Sequence, residues 1–323
     1  MTEKELLIEK IKEIAGWNIS PFRLRIITDT SDWMSITTGN VLRIGNKDFL
    51  IRGNMREPRF GIDDQPKYWV FHAISLEDGS EKIIKTVFKE EFYAHIGILR
   101  LRCYRDVDKE SKVLELTKGD MRFMQGYTEH DDKGNNVRII DFIRGKTFFH
   151  YIPGIDKTHE NYFYEDLPEI LWKLKGAIEA IKLLHDNGLC HGDIRNDHLL
   201  IESETNNFRW IDFDLKQDVA DFDLWSFGNV INYAVGKGII TFDNALKNKN
   251  ISDEIKNNLD KDDASAFYNY RIMNISKIFR YIPDSLTKLL QHFTIKPIAY
   301  YSSINEFFED YSNVLEKDFS EKK

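Results

Sequence analysis

The stretch that decides the fold reads Leu189-Cys-His-Gly-Asp-Ile-Arg-Asn-Asp-His-Leu-Leu-Ile201, and Phe208-Arg-Trp-Ile-Asp-Phe-Asp214 follows soon after it. Asp193 lies in a polar segment just after an apolar, helix-like run that ends at Asn187-Gly188. Asp212 comes at the end of a short run with strand character. Carboxylates on two neighbouring loops are typical of sites that bind a divalent cation and phosphate groups.

The composition predicts a chain that folds without disulfide bonds. It has 323 residues and a hydrophobic content of 42%, enough to bury a substantial core in one large domain or two modest ones. Its formal charge is −8, with 45 basic and 53 acidic residues, so it has no broad basic surface and nucleic acid is not expected as a partner.

Three sequence features predict a soluble, reduced, cytoplasmic protein with no membrane partner. Cys103 and Cys190 are the only cysteines, and no apolar run approaches the length of a membrane span. The start, Met1–Leu7, also lacks the basic region and apolar core of a secretion signal.

The first half of the chain is predicted to be a mostly antiparallel sheet. Helices are expected where apolar residues recur at helical spacing, over residues 3–15 and 107–116. Strands are expected over residues 34–38, 41–44, 49–52, 68–74, 82–88 and 136–143. Gly-containing turns at 39–40, 45–46 and 77–80 separate several of these strands.

The second half is predicted to be helical. Long apolar faces indicate helices over Leu167–Asp186 and Asp223–Val235, and further helical segments broken by loops follow to about Leu315. A short connection containing Gly145 joins the two halves. We expect a cleft between them, since ligand sites favour such places.

Three spaced motifs resemble the protein kinase superfamily, and the resemblance extends over residues 49–311. His191-Gly-Asp193 is similar to the catalytic-loop His-x-Asp, in the His-Gly-Asp form of small-molecule and atypical kinases. Asp212-Phe-Asp214 is similar to the metal-binding Asp-Phe-Gly. Asp223-Leu-Trp-Ser-Phe-Gly228 is similar to the start of the family's central helix, whose Asp contacts the catalytic-loop backbone.

The resemblance implies an α+β, bilobal protein kinase-like fold with a β-rich N-lobe and an α-helical C-lobe. Segments 283–290 and 301–310 resemble the last helices of eukaryotic-type kinases. The expected organisation is an N-terminal helix and β extension at 1–48, an N-lobe at 49–143, a C-lobe at 144–315 and a flexible tail at 316–323.

The resemblance also implies ATP and Mg²⁺ as cofactors. Asp193 would accept the proton of an acceptor hydroxyl, and Asp212 would bind the metal ion. Arg195 lies where Ser/Thr kinases carry a lysine near the γ-phosphate, which favours a hydroxyl acceptor. Catalysis would then depend mainly on positioning and electrostatics.

The N-lobe is expected to contribute an ion pair beside the phosphates. Lys85 resembles the strand lysine that contacts the α- and β-phosphates, and Glu110 would be its helix partner. Lys82 is an alternative to Lys85. The alternatives to Glu110 are Glu90, Glu91 and Glu115.

Two more segments are assigned to nucleotide binding. In place of a regular phosphate-covering loop, the sequence has a longer, irregular loop, Arg52–Gly61. Gly53 and Gly61 would allow the backbone to approach the phosphates closely. The three arginines of this loop could bind phosphate or an anionic acceptor. The alternative is an exposed loop with no ligand. Asp141 and Ile143 lie in the segment that resembles the hinge, where backbone groups would hold the adenine.

His198 departs from the family pattern. It occupies the place of an Asn that serves as a second metal ligand, and imidazole suits Mn²⁺ or Zn²⁺ better than Mg²⁺. We therefore expect Mg²⁺ or Mn²⁺, held by Asp212, His198 and Asp214, the last of which replaces the motif glycine. Asp197 is a weaker substitute, and the alternative for His198 is a packing role beneath the leucines that follow it.

A second departure is the short segment after the metal motif. Residues 213–222 leave no room for a long activation segment ending in Ala-Pro-Glu. Gly192 stands where a catalytic-loop Arg would contact a phosphorylated activation loop, and Tyr300-Tyr301 stands where an Arg would pair with the motif glutamate. The sequence therefore predicts a kinase without activation-loop switching.

These expectations combine into one function and two alternatives. The favoured function is an ATP-dependent phosphotransferase acting on a hydroxyl acceptor, with protein Ser/Thr placed slightly ahead of a metabolite. The alternatives are a small-molecule kinase and a pseudokinase that binds nucleotide and works as a scaffold. No metal or dinucleotide motif of another enzyme class is present in the sequence.

Overall fold

Helices occupy much of the second half of the computed structural model, which describes residues 2–59, 62–96, 99–218, 222–297 and 299–319. The α-helices in chain order are α1 (Glu3–Ala15), α2 (Lys109–Leu116), α3 (Phe148–Tyr151), α4 (His159–Glu165), α5 (Leu167–Asp186), α6 (Phe222–Val235), α7 (Phe242–Lys247), α8 (Asp253–Asn258), α9 (Asp284–Gln291) and α10 (Ile304–Asp318). Within the described ranges, no helix combines the length and apolar character needed to cross a bilayer.

Strands occupy much of the first half. In chain order they are β1 (Ile26–Ile27), β2 (Val41–Ile44), β3 (Lys47–Arg59), β4 (Ile62–Ser75), β5 (Glu81–Lys85), β6 (Glu91–Ile96), β7 (Leu99–Arg105), β8 (Gly126–His130), β9 (Asn136–Asp141), β10 (Gly145–Thr147), β11 (Leu199–Glu202), β12 (Phe208–Trp210) and β13 (Leu215–Gln217).

The chain forms two compact units. Unit 1 comprises Met1–Glu90, Arg105–Asp120 and Met124–Ile143, and unit 2 comprises Glu91–Tyr104, Met121–Phe123 and Arg144–Lys323. Unit 1 holds most of the strands, and unit 2 holds α3 to α10. The expected α+β architecture, with a β-rich N-lobe and an α-helical C-lobe, is confirmed.

Unit 1 is built on a seven-stranded sheet in the order β1-β2-β3-β4-β5-β9-β8. The β1–β2 pair is parallel, and the other pairs in this sheet are antiparallel. Successive side chains of a strand face opposite sides, so Leu42 and Phe49 join one core while Val41 and Leu50 join another. The second core also receives the apolar face of α1, so this helix covers one face of the sheet.

Two expectations about unit 1 are wrong. Residues 34–38 were expected as a strand, but Trp33–Ser35 forms a 3₁₀ helix. The Trp33 ring packs edge-on against Trp69 and Phe88, so tertiary packing decides the backbone here.

The second wrong expectation is the irregular loop beginning at Arg52. The backbone stays in β3 as far as Arg59 and pairs with β4, for example Met55 with Lys67. Register shifts between paired residues accommodate the irregular sequence, so the strands form one long hairpin. Gly61, assigned to the same loop, lies outside the described residues.

Unit 2 is organised around α5, whose bounds match the sequence prediction. Buried residues on several of its faces pack against α6, α10 and β12. The Tyr311 hydroxyl donates to the Leu171 carbonyl, and the Trp210 indole donates to the Ala177 carbonyl. These bonds fix α10 and β12 on the central helix, since a buried polar group without a partner is costly.

Two small sheets complete unit 2. One has the order β10-β11-β12, and the other has the order β13-β7-β6. The second sheet was not anticipated, although alternate residues of β6 and β7 are apolar, which is the pattern of strands with one buried face. It joins a hairpin from residues 91–105 to the strand that follows Asp214.

Candidate active site

The loop carrying Asp193 is fixed at its start by Asp223, near the N-terminus of α6. The Asp223 carboxylate accepts hydrogen bonds from the backbone amides of His191 (2.6 Å) and Gly192 (2.7 Å). His185, near the end of α5, lies 3.0 Å from the same carboxylate. Asp223 therefore contacts the backbone of the loop that carries Asp193, which is the contact that the motif resemblance implied.

The backbone conformation at position 192 requires a glycine. Its φ is 81°, in the left-handed region that residues with a Cβ rarely adopt. Its carbonyl accepts a hydrogen bond from the Gln217 side chain on β13. Gly192 thus forms one hydrogen bond through its amide and another through its carbonyl, and a larger side chain would disturb the loop.

Asp212 adopts a strained backbone. Its φ is 70°, one of the few positive values for a non-glycine among the described residues. Such conformations cost about 1–3 kcal/mol and persist at functional sites where the surroundings impose them. Asp212 and Asp214 each place a carboxylate oxygen within 4.8 Å of the other, and Asp214 is buried.

His198 lies between the two motif aspartates. Its Nδ1 is 3.6 Å from the Asp193 carboxylate, and its Nε2 is 3.4 Å from the Asp212 carboxylate. The carboxyls of Asp193 and Asp212 therefore flank one buried imidazole.

Hydrogen bonding fixes the tautomer of His198. Nδ1 lies 2.7 Å from the backbone carbonyl of Asp193, which can only accept, so Nδ1 carries a proton. Nε2 lies 2.8 Å from a guanidinium nitrogen of Arg195, which can only donate, so Nε2 carries a lone pair. These two hydrogen bonds correspond to the neutral Nδ1–H tautomer, in which the Nε2 lone pair accepts from Arg195.

Arg195 is surrounded by acceptors. Besides His198, its guanidinium lies 3.6 Å from Asp193 and 3.1 Å from Asp197. Its side chain is partly exposed, so these pairs are screened and can exchange. Asp197 thus serves as a partner of Arg195 in this arrangement.

Unit 1 contains the ion pair assigned to the N-lobe. Lys85 on β5 donates to Glu110 on α2 at 2.7 Å, and both side chains are buried. Arg138 on β9 is a further buried cation, 3.5 Å from Glu110, and it also donates to the Thr86 carbonyl. A buried carboxylate needs such compensation, since an unpaired buried charge is costly.

The alternative lysine and two of the alternative glutamates have other partners. Lys82 lies on the opposite face of β5 and pairs at 2.5 Å with the exposed Asp141. Glu90 pairs with Arg105, and Glu91 pairs with Arg102. Glu110 is the candidate glutamate that pairs with Lys85 in the structure.

The other nucleotide-binding candidates lie in the sheet of unit 1. Gly53 pairs with His72 of β4 at a register shift. The Asp141 amide donates to the Gln125 carbonyl, so this amide is engaged within the protein. Ile143 is partly buried at the last position of unit 1, and its role remains a proposal.

Sequence reasoning missed several residues near these groups. Arg138 could have been found, because it is a lone cation within the apolar run of β9. Tyr268 gave no such signal: burial raises its pKa, the charges of Arg271 and Arg195 oppose that change, and the charge of Asp193 adds to it.

The fold is of the protein kinase-like class. The PknI kinase domain of Mycobacterium tuberculosis superposes with a TM-score of 0.52 at 10% identity, covering 86% of this chain and 99% of that domain. A double-mutant form of the same domain gives 0.52 at 11% identity. The chain therefore has the fold of the protein kinase-like superfamily.

Sequence comparison finds kinase-related proteins of Dictyostelium discoideum. The EKC/KEOPS complex subunit bud32 is 32% identical over 84 residues, which is 26% of this chain and 31% of that protein. The probable serine/threonine-protein kinase fnkE is 28% identical over 114 residues, 34% of this chain and 8% of that protein. The matches span less than a third of either relative, and no protein-family model matches the chain.

Proposed function

We propose that this protein is an ATP-dependent phosphotransferase that moves the γ-phosphate to a hydroxyl acceptor. The observation that carries the proposal is the placement of Asp193 and Asp212 on either side of His198, at 3.6 and 3.4 Å. The kinase-like fold and the kinase-named relatives support a phosphotransferase in general.

The donor set fits a divalent metal ion. Asp212 and Asp214 supply hard carboxylate oxygens within 4.8 Å of each other. His198 offers an Nε2 lone pair, and this nitrogen lies 3.4 Å from the Asp212 carboxylate. Mg²⁺ or Mn²⁺ would be held by these residues, and it would neutralise charge on the phosphates of ATP. Arg195 now donates to that lone pair, so its guanidinium has to move for His198 to become a ligand.

The other residues have separate tasks. Asp193 orients the acceptor hydroxyl and accepts its proton. Lys85, oriented by Glu110, provides the ammonium group for the α- and β-phosphates. Gly53 and the backbone of Asp141 and Ile143 are proposed to contact the nucleotide, together with Gly61.

The acceptor is proposed to be a protein Ser or Thr hydroxyl, with a small molecule as the second candidate. The similarity to a probable serine/threonine-protein kinase supports the first. The short segment after Asp214 supports the second, because it offers no extended platform for a peptide. A cytoplasmic setting is proposed as well, because the sequence contains only two cysteines.

Asp193→Ala tests the proposal against the pseudokinase alternative. With radiolabelled γ-phosphate, Mg²⁺ or Mn²⁺, and both protein and metabolite acceptor pools, the wild type transfers label to an acceptor. Asp193→Ala lowers the rate by about 10²–10⁴-fold, because a positioned base contributes that much. The control is Asp186→Ala, which removes an exposed carboxylate that pairs with Lys182 at the end of α5 and leaves transfer unchanged.

Two outcomes would contradict the proposal. Transfer that survives Asp193→Ala places the chemistry elsewhere. Nucleotide binding without transfer to any acceptor, with either metal, favours the pseudokinase.

A further inference from the structure

The chain between Lys85 and Glu110 contains an extra hairpin. It consists of β6 and β7, and its apolar residues alternate with polar ones along each strand. The residues of this insert hairpin, Glu91–Tyr104, belong to unit 2, although the chain on either side of them belongs to unit 1. The hairpin is therefore attached to the unit that carries Asp193 and Asp212.

The attachment is a sheet edge and an apolar cluster. β7 lies between β6 and β13, the strand that directly follows the metal motif. Leu101 and Cys103 of the hairpin pack with Leu215 of β13 in one buried cluster, which Ala94 and Phe222 extend. Burial raises the pKa of the Cys103 thiol, and the charges of Asp193 and Asp218 act in the same direction.

Polar contacts link β13 and the residue after it to the hairpin and to the loop that carries Asp193. The Asp218 amide donates to the Arg102 carbonyl at 3.3 Å, and the Arg102 guanidinium lies 4.0 Å from the Asp218 carboxylate. Arg102 is itself oriented by two hydrogen bonds to Glu91, both 2.9 Å. On the other side, the Gln217 side chain donates to the Gly192 carbonyl of the catalytic loop.

Phosphorylation cannot order this segment. Residues 215–222 read Leu-Lys-Gln-Asp-Val-Ala-Asp-Phe and contain no Ser, Thr or Tyr. Gly192 offers no cationic side chain to a phosphate, and Gln217 bonds to its backbone instead. The contacts that replace a phosphate-dependent link are therefore present in the unmodified chain.

We propose that the insert hairpin is a built-in positioning element, which fixes the segment 215–218 and through it the metal-motif carboxylates without phosphorylation. A strained conformation such as that of Asp212 needs surroundings that impose it, and the three-stranded sheet supplies them on the C-terminal side. Leu101 links the hairpin to this segment, and Gln217 links the segment to the catalytic loop. The effect on turnover rests on the proposed function, whereas the effect on backbone order does not.

Leu101→Asp tests the proposal by placing a charge in the apolar cluster. Amide hydrogen exchange of residues 212–218 should accelerate at least tenfold, while the amides of α5 keep their wild-type rates. Phosphotransfer should fall at least tenfold, with the KM for ATP changed less than threefold. Tyr93→Ser is the matched control, because Tyr93 lies on the exposed face of the same hairpin, and it should match the wild type in both measurements.

Gln217→Ala is the second variant, and it leaves the apolar cluster intact. Loss of the bond to the Gly192 carbonyl should accelerate amide exchange in residues 212–218 and lower kcat with little change in KM. If Leu101→Asp also accelerates amide exchange throughout α5, that variant has lost its fold. The proposal is then tested by Gln217→Ala alone. Wild-type protein treated with a phosphatase should retain its full turnover.

Three results would overturn the inference. One is unchanged exchange in 212–218 when Leu101→Asp has opened the amides of β6 and β7. Another is wild-type exchange and kcat in Gln217→Ala, and the third is loss of turnover on phosphatase treatment. If the wild type transfers no phosphate at all, the proposed function fails, and the exchange rates alone decide the role of the hairpin.

Discussion

At the scale of single residues, His198 shows how a substitution can preserve a geometry. An Asn amide could donate to the Asp193 carbonyl and offer its oxygen on the other side. The neutral imidazole does the same with two ring nitrogens, Nδ1 as donor and Nε2 as acceptor. What changes is the ligand atom, from a hard oxygen to a softer nitrogen.

His198→Asn should therefore alter metal preference. We expect the ratio of kcat/KM with Mg²⁺ to that with Mn²⁺ to rise about tenfold, in the range typical of changes to residues that ligate or orient a metal. Turnover with each ion, together with Mn²⁺ affinity, provides the measurement. His150→Asn is the control, because His150 is exposed and its ring interacts with Thr147 and Phe149, which have no assigned role in metal binding. Equal ratios in both variants would show that His198 is not a ligand.

At the scale of elements, packing overrides local preference in α6. Gly228 lies within this helix, where alanine would ordinarily be favoured by about 1 kcal/mol. A Cβ at this position would overlap the buried ring of Phe293, which follows α9. The glycine of this motif is thus required for the close approach of the helix to its neighbour.

Gly228→Ala should lower the free energy of unfolding by about 1–2 kcal/mol, since the cost of overpacking exceeds the gain in helix propensity. The matched control is Gly176→Ala in α5, where a Cβ would meet no atom within 4 Å. That variant should be stabilised by about 0.5–1 kcal/mol. Urea unfolding of both variants measures the difference, and a stabilised Gly228→Ala would refute the packing argument.

At the scale of the whole molecule, unit 2 contains a histidine that must stay neutral. His159 stacks on Phe279 with ring centroids 3.5 Å apart, donates from Nε2 to the Val235 carbonyl and accepts from the Tyr281 hydroxyl. Burial lowers the pKa of His159 to about 4, although the Val235 bond opposes the change. Protonation therefore favours the unfolded chain, in which the imidazole has its ordinary pKa of about 6.5.

The fold should consequently lose stability as the pH falls from about 6.5 to about 4. In that interval the unfolded state binds a proton at His159 that the folded state does not, so the free energy of unfolding decreases with falling pH. Thermal unfolding at several pH values measures the slope. In His159→Phe the slope should be smaller than in the wild type, and an unchanged slope would show that other groups cause the acid sensitivity.

Much of the candidate site could be predicted from the sequence because its residues are close in the chain. Asp193, Arg195 and His198 lie within one loop, and their residue types restrict what they can bind. The bounds of α5 also followed from the spacing of its apolar residues. Local order of this kind needs no knowledge of distant segments.

Other parts could not be predicted because distant segments decide them. Lys85 could be distinguished from Lys82 only when the sheet assigned one to a buried face and the other to the surface. The 3₁₀ helix at Trp33 depends on rings far along the chain. The loop expected from Arg52 became a strand, since pairing with β4 satisfies its backbone groups.

The sequence by itself determined the kinase-like class of the fold and indicated the carboxylates that we propose for catalysis and metal binding, because short motifs and helical periodicity are local properties. Only the tertiary structure decided the partner of Glu110, the tautomer of His198 and the pairing of the insert hairpin with β13. These depend on which surfaces become buried together. The free energy of burying apolar and charged groups is set by all their neighbours, and most neighbours are far apart in the chain.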